Sequence, residues 1–158
     1  MNRKVVRILL IGLTLIWMGL IFYFSNQNGT KSALLSRDVT RIVLKIFYPD
    51  YMQLNKSEQT ALLKSVGLVI RKLAHYGEYV LLALFLYVSI SIFTKNQRIR
   101  YCLVFVFGVV YAYFDEIHQY FVAGRAFMIQ DICIDLAGIG SAILLIYGIR
   151  KLKQKKKR

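Results

Sequence analysis

The stretch VVRILLIGLTLIWMGLIFYF, residues 5–24, decides the fold. It is long enough and apolar enough to cross a bilayer as one helix. Arg3, Lys4 and Arg7 at its start resemble the basic region of a signal peptide. The apolar core is too long for one, however, and no small-x-small cleavage site follows it, so it reads as an anchor. Three further stretches qualify as spans, at about 73–93, 101–121 and 132–149. The expected fold is all-α: an integral membrane four-helix bundle, with residues 1–158 as a single membrane domain.

Composition agrees. Of 158 residues, 57% are apolar, above the usual share for a soluble domain, and they fall in long runs. The net charge of +14 raises the question of nucleic acid. The charges sit in short clusters between apolar runs, and no aromatic-basic platform or DNA-reading motif accompanies them, so nucleic acid is excluded as a partner. The cysteines, Cys102 and Cys133, fall near opposite faces of the membrane. That is too far apart for a disulfide, and both read as packing residues.

Residues 30–72 form the amphipathic helical segment expected between the first two spans. The only proline, in Tyr48-Pro49-Asp50, divides it. Before that point Leu35, Val39, Ile42, Val43 and Ile46 repeat at helical spacing among Arg37, Asp38, Arg41 and Lys45. This is an amphipathic helix suited to the membrane interface. After it, Asn55 followed by Glu58 resembles a capping box, and the helix it opens can run without a break into the second span.

Lysine and arginine set the orientation. Arg3, Lys4 and Arg7, then Lys95, Arg98 and Arg100, then the basic tail 150–158 all fall on one face if four spans alternate. The opposite short loop offers only Arg125. The 30–72 segment carries eight basic residues, but it mixes them with acids and folds as helix. The positive-inside rule therefore places both termini in the cytoplasm of a bacterial plasma-membrane protein, with 30–72 extracytoplasmic. The tail reads as a topology signal.

With that orientation, Arg71, Lys72, His75 and Glu78 stand at the outer end of span two. Asp115, Glu116, His118 and Gln119 stand at the outer end of span three, and Asp131 and Asp135 at that of span four. Arg71, His75 and Glu78 share one helix face at i, i+4 and i+7; Asp131 and Asp135 are one turn apart, with Gly138 continuing their stripe. A carboxylate at the bilayer centre costs about 2.5–3.5 kcal/mol, less near the interface. Several at one depth must face inward, pair with Arg71, Lys72 or Arg125, or hold a cation. A shared polar pocket is expected. Tyr111, Tyr113 and Tyr120 are weaker candidates, since tyrosine belongs at interfaces anyway.

These residues resemble a known family. Arg71-Lys72-Leu73-Ala74-His75-Tyr76-Gly77-Glu78-Tyr79 is similar to the first motif of the VanZ-like family. Asp115-Glu116-Ile117-His118-Gln119, Gly124-Arg125, and then Asp131, Asp135 and Gly138 resemble its second and third motifs. Phe24-Ser25-Asn26-Gln27 resembles the family's ending to span one. The resemblance covers nearly the whole chain, in order. It departs at Ala123, where the family often has proline, which bears on the shape of that loop. The resemblance implies an association with resistance to the glycopeptide teicoplanin; it implies no agreed chemistry.

Three activities fit the pocket. In the first, it binds an outer-leaflet amphiphile, either a membrane lipid or a lipid-linked cell-wall precursor. Arg71, Lys72 and Arg125 would clamp phosphate or carboxylate, while His75, Glu78, Glu116, Gln119, Asp131 and Asp135 complete the ligand-binding set. In the second, the protein is an intramembrane enzyme with His75, Glu78, Asp115, Glu116 and His118 as catalytic candidates. His75, Glu78, Asp115, His118, Asp131 and Asp135 would then be candidate ligands for a divalent metal cofactor that activates water. The third is a proton-coupled transporter using the same acids and both histidines. Its four spans per protomer would require oligomers.

Overall fold

The structure, a computed structural model, describes residues 3–156. Five α-helices follow in chain order: α1 Arg3–Ser25, α2 Gly29–Phe47, α3 Lys56–Ile90, α4 Gln97–Tyr120 and α5 Ile129–Lys155, with a 3-10 turn at Pro49–Gln53. Among the described residues there is no strand. Helices α1, α3, α4 and α5 are long and apolar enough to cross a membrane. An even number of crossings puts both ends of the described chain on one face of the bundle, the terminal end. Helix α2 lies at the other, the distal end.

Local signals set the boundaries. The Asn28 side chain accepts from the Lys31 amide at 2.8 Å and caps α2. Pro49 has no amide hydrogen to continue the ladder, so α2 stops at Phe47 and the chain turns. The capping box expected at Asn55 is formed in both directions: Glu58 N–H donates to Asn55 Oδ1 at 2.9 Å, and Asn55 N–H donates to Glu58 Oε2 at 3.1 Å. From there α3 runs for 35 residues into the second span without interruption. That is about 52 Å at 1.5 Å per residue, well beyond the roughly 30 Å hydrocarbon core. Its first four turns therefore rise past the membrane and give α2 something to pack on.

The spans begin earlier than apolarity alone suggests. Asn96 caps α4 at Gln97 rather than near 101, and α5 starts at Ile129. The basic tail is not separate from the fourth span, because α5 continues as helix to Lys155. Lysine and glutamine are good helix formers, and Lys153 and Lys155 complement the negative end of the helix dipole. Residues 157 and 158 of that tail lie outside the described residues.

The bundle closes through small residues. Tyr79, Leu82 and Ala83 of α3, Val104 and Ala112 of α4, and Ile139 and Ala142 of α5 form its core with Ile21 of α1. Gly108 and Ala112, and again Gly138 and Ala142, recur one turn apart where helices meet. A Cβ at Gly108 would stand 2.7 Å from Ile139 Cδ1, and one at Gly138 would stand 2.5 Å from the Tyr76 carbonyl oxygen. The close helix approach expected at Gly138 is present, between α5 and α3. Exposed Ile8, Leu9, Leu15 and Ile16 of α1 and Leu144 and Leu145 of α5 turn outward, as lipid-facing residues do. Cys102 and Cys133, expected to pack, are exposed instead. Each lies on the outward side of its helix, where apolar character suffices and no neighbour is needed.

Candidate functional site

At the distal end, the turn after α1 and the loop after α4 are stitched together. The Gly29 amide donates to the Ala123 carbonyl at 3.0 Å. A Cβ on Gly29 would overlap the Gly124 carbonyl, and Gly124 itself has φ of 75°, a conformation that favours glycine. The acceptor is the backbone carbonyl of residue 123, which alanine supplies as well as the proline often found there in the related pattern.

Arg125 completes the stitching. Its Nε and Nη2 donate to the Gln27 and Phe24 carbonyls, each at 3.2 Å, and its Nη1 donates to Gln119 Oε1 at 2.8 Å. It therefore adds donors to carbonyls at and just beyond the end of α1, where the helical ladder runs out. Burial, and then the neighbouring Arg71 guanidinium, lower its pKa from the ordinary arginine value. Expected to clamp a ligand, Arg125 is first a brace, with only its edge lining the cavity described below.

The network runs on inward. Gln119 Nε2 donates to Asp115 Oδ2 at 3.0 Å, and Ser25 Oγ donates to the same oxygen at 2.8 Å. Glu116 accepts the Met128 amide hydrogen, which caps α5 where Met128 has no side-chain oxygen to offer. Asp131 sits buried in the first turn of α5, where a carboxylate is favoured by the helix dipole. One turn on, Asp135 Oδ1 faces His75 Nδ1 at 3.7 Å, across the α3–α5 contact that Gly138 permits.

Five buried side-chain atoms here have no hydrogen-bond partner in the protein: His75 Nδ1, Tyr79 OH, Asp115 Oδ1, Glu116 Oε2 and Asp135 Oδ1. They come from three helices, and no other buried side-chain polar atom among the described residues is in this condition. Glu78, Glu116 and Asp131 lie within electrostatic reach of Asp135. Acids of spans two, three and four thus lie near one another at this end.

In front of this cluster is a cavity of about 300 Å³, between the distal ends of α1 and α3 and the underside of α2. Arg71, His75 and Glu78 all line it, as their shared face requires, and Arg125 closes one side. Leu35 and Val39 of α2 and Ile70 of α3 make its apolar wall. The cavity is mostly apolar, with Arg71, His75, Glu78 and Arg125 as its ionisable lining.

Several expected members stand elsewhere. Lys72, half-buried, does not line the cavity. His118 turns to α1, packing on Phe22 at 4.5 Å between centroids, with its Nε2 3.3 Å from Asn26 Oδ1. Asp115 takes its hydrogen bonds from Ser25 and Gln119 rather than from His118. Among the described residues, no three His, Cys, Asp or Glu side chains converge as a metal site would require. The set of His75, Glu78, Asp115, His118, Asp131 and Asp135 therefore does not form a metal cage, because helix rotation points His118 and Asp135 to different neighbours. Tyr111 is committed to the Met18 carbonyl at 2.6 Å, and Tyr113 and Tyr120 are exposed. Two residues given no role from the sequence belong to the site. Ser25 was visible in the Phe24-Ser25-Asn26-Gln27 pattern, and Tyr79, one turn beyond His75, continues the Arg71 face.

Fold and site together define a multi-pass membrane protein with a buried acid–histidine cluster at one end of a four-span bundle. The chain belongs to the VanZ/LLP1 family, which it matches over residues 10–151. No curated protein and no solved structure matches it.

Proposed function

We propose that the cavity binds the polar headgroup of an outer-leaflet amphiphile, a membrane lipid or a lipid-linked wall precursor. Through that binding the protein would support glycopeptide (teicoplanin) resistance or envelope homeostasis. The reading places the protein in a bacterial plasma membrane with both termini cytoplasmic and the cavity facing the outer leaflet. One observation carries it: a 300 Å³ cavity with an apolar wall on α2, an ionic wall of Arg71, His75 and Glu78, and unpartnered buried carboxylates behind. An unpaired buried polar group costs about 1–3 kcal/mol, so a cluster of them is stabilised by a donor-rich guest. Hydroxyl, amide or ammonium groups would meet the acids, Arg71 would meet an anionic group, and an acyl or prenyl chain would leave between Leu35 and Ile70.

The test uses Glu78→Gln and Arg71→Gln, expressed at wild-type level. Both should lower the teicoplanin inhibitory concentration to that of cells without the protein, and both should lose lipids that co-purify with the wild type. Unchanged resistance together with unchanged co-purifying lipid would end this reading.

A second reading rests on the facing of His75 and Asp135 at 3.7 Å. A carboxylate that orients an imidazole lining a cavity is the arrangement of a general acid or base. Comparison of lipids and muropeptides between cells carrying wild type and His75→Gln separates the two. A species made only by the wild type indicates chemistry, and identical pools with altered drug sensitivity indicate binding.

A further inference from the structure

Helix α2 and the projecting part of α3 enclose a second cavity, about 490 Å³, beside the first. Its lining includes Arg37 and Arg41 of α2 and Lys56, Lys64 and Arg71 of α3, and no carboxylate. The acids nearest in sequence are engaged or lie outside it. Asp38 pairs with Arg41 at 3.6 Å on the surface, Glu58 closes the capping box, and Asp50 does not line the cavity. Among the described residues, the side chains of Arg37, Lys56, Lys64 and Arg71 make no hydrogen bond or ion pair. Five cations gathered in one concavity repel one another, and low-dielectric walls amplify the field they create.

Two further facts bear on what relieves that repulsion. Leu34, Leu35, Val39, Ile42 and Ile46 of α2 are exposed, an apolar stripe suited to the membrane interface. The cavity therefore opens at headgroup depth, where phosphate esters are the abundant anions. In addition, Ser36 and Arg71 line both cavities, so the two adjoin.

We propose that the groove between α2 and α3 is a phosphate-binding site, taking a phosphate or pyrophosphate ester through Arg37, Arg41, Lys56, Lys64 and Arg71. Guanidinium forks suit the tetrahedral oxygens, and the lysines add charge without fixed geometry. The proposal stands apart from the headgroup reading, since Arg37, Arg41, Lys56 and Lys64, the four basic residues its test changes, do not line the first cavity.

The experiment uses the full chain in phosphatidylcholine nanodiscs doped with phosphatidic acid, with bound lipid counted by native mass spectrometry. Wild type should retain phosphatidic acid over phosphatidylcholine, and Arg37→Gln with Lys64→Gln should reduce that preference about tenfold. Lys31→Gln with Lys45→Gln removes equal charge from α2 outside the groove and should change it less than about twofold. Inorganic pyrophosphate distinguishes the sources. Displacement of phosphatidic acid means that the bare phosphate group is recognised, and retention means that the phosphate is read within a lipid; both support the site. If the first double variant does not fold, Arg41→Gln with Lys56→Gln takes its place. Equal losses in groove and control variants, or no loss in the groove variant, would overturn the proposal.

Discussion

The two ends of this bundle are built from the same helices and treat polar groups in opposite ways. At the terminal end Tyr87 donates to Gln97 at 2.7 Å, and Arg150 donates to the Tyr87 hydroxyl at 3.3 Å. Arg100 bonds the Thr94 and Ser91 carbonyls and lies 5.7 Å over the Tyr87 ring. Tyr87 stacks on Tyr101, which Tyr147 meets edge-on, behind them. Among the described residues, every buried side-chain polar atom at that end has a partner. At the distal end five do not. Membranes penalise unpaired buried polar groups, so they are kept where they serve a purpose. The terminal end holds the bundle together; the distal end gives up stability to keep unpartnered acids buried near a cavity that Glu78 lines.

Substitutions should separate the two ends. The largest functional effect belongs to Asp135→Asn, which replaces a buried carboxyl group that faces His75 and makes no hydrogen bond through Oδ1. Lipid co-purification should fall about tenfold while the thermal midpoint holds or rises, as expected when a group kept for function is replaced. A midpoint that drops along with binding would make Asp135 a structural residue.

Next comes Arg125→Ala, which removes the guanidinium donor from the Phe24 and Gln27 carbonyls and from Gln119 Oε1. The loss should be about 2–3 kcal/mol. Limited proteolysis should show it as faster cleavage between α1 and α2, and an unchanged rate would contradict the bracing role. Gly138→Ala places a methyl against the Tyr76 carbonyl and should cost about 1–3 kcal/mol by forcing α3 from α5. Unfolding in mixed micelles would read it, and an undiminished midpoint would mean that the helices separate freely. The smallest effect is expected from Tyr87→Phe at the terminal end, which deletes the part-buried hydrogen bonds to Gln97 and from Arg150 for about 1 kcal/mol. Resistance and bound lipid should not move; if they do, the division between the ends is wrong.

Much of the fold was legible beforehand, and for local reasons. Spans show as apolar length, the α2 boundary as Pro49, and the α3 start as Asn55 with Glu58, because each depends on residues within one turn. The shared face of Arg71, His75 and Glu78 was legible too, since all three lie on one continuous helix. What misled was inference across helices. His118 follows Asp115 by three residues, yet the rotation of α4 directs it to Phe22 and Asn26. Arg125 looked free because its acceptors are carbonyls on α1, which no side-chain pattern reports.

The amino-acid sequence alone therefore determined the number of spans, the amphipathic character of α2 and the depth at which the ionisable residues collect. Those properties follow from hydrophobic length and helical period, which a chain carries in any surroundings. The tertiary structure decided which acids are partnered, that Arg125 braces α1, and that α2 roofs two adjoining cavities. These depend on how four helices rotate and approach, down to the missing Cβ at Gly138 that lets His75 and Asp135 face each other.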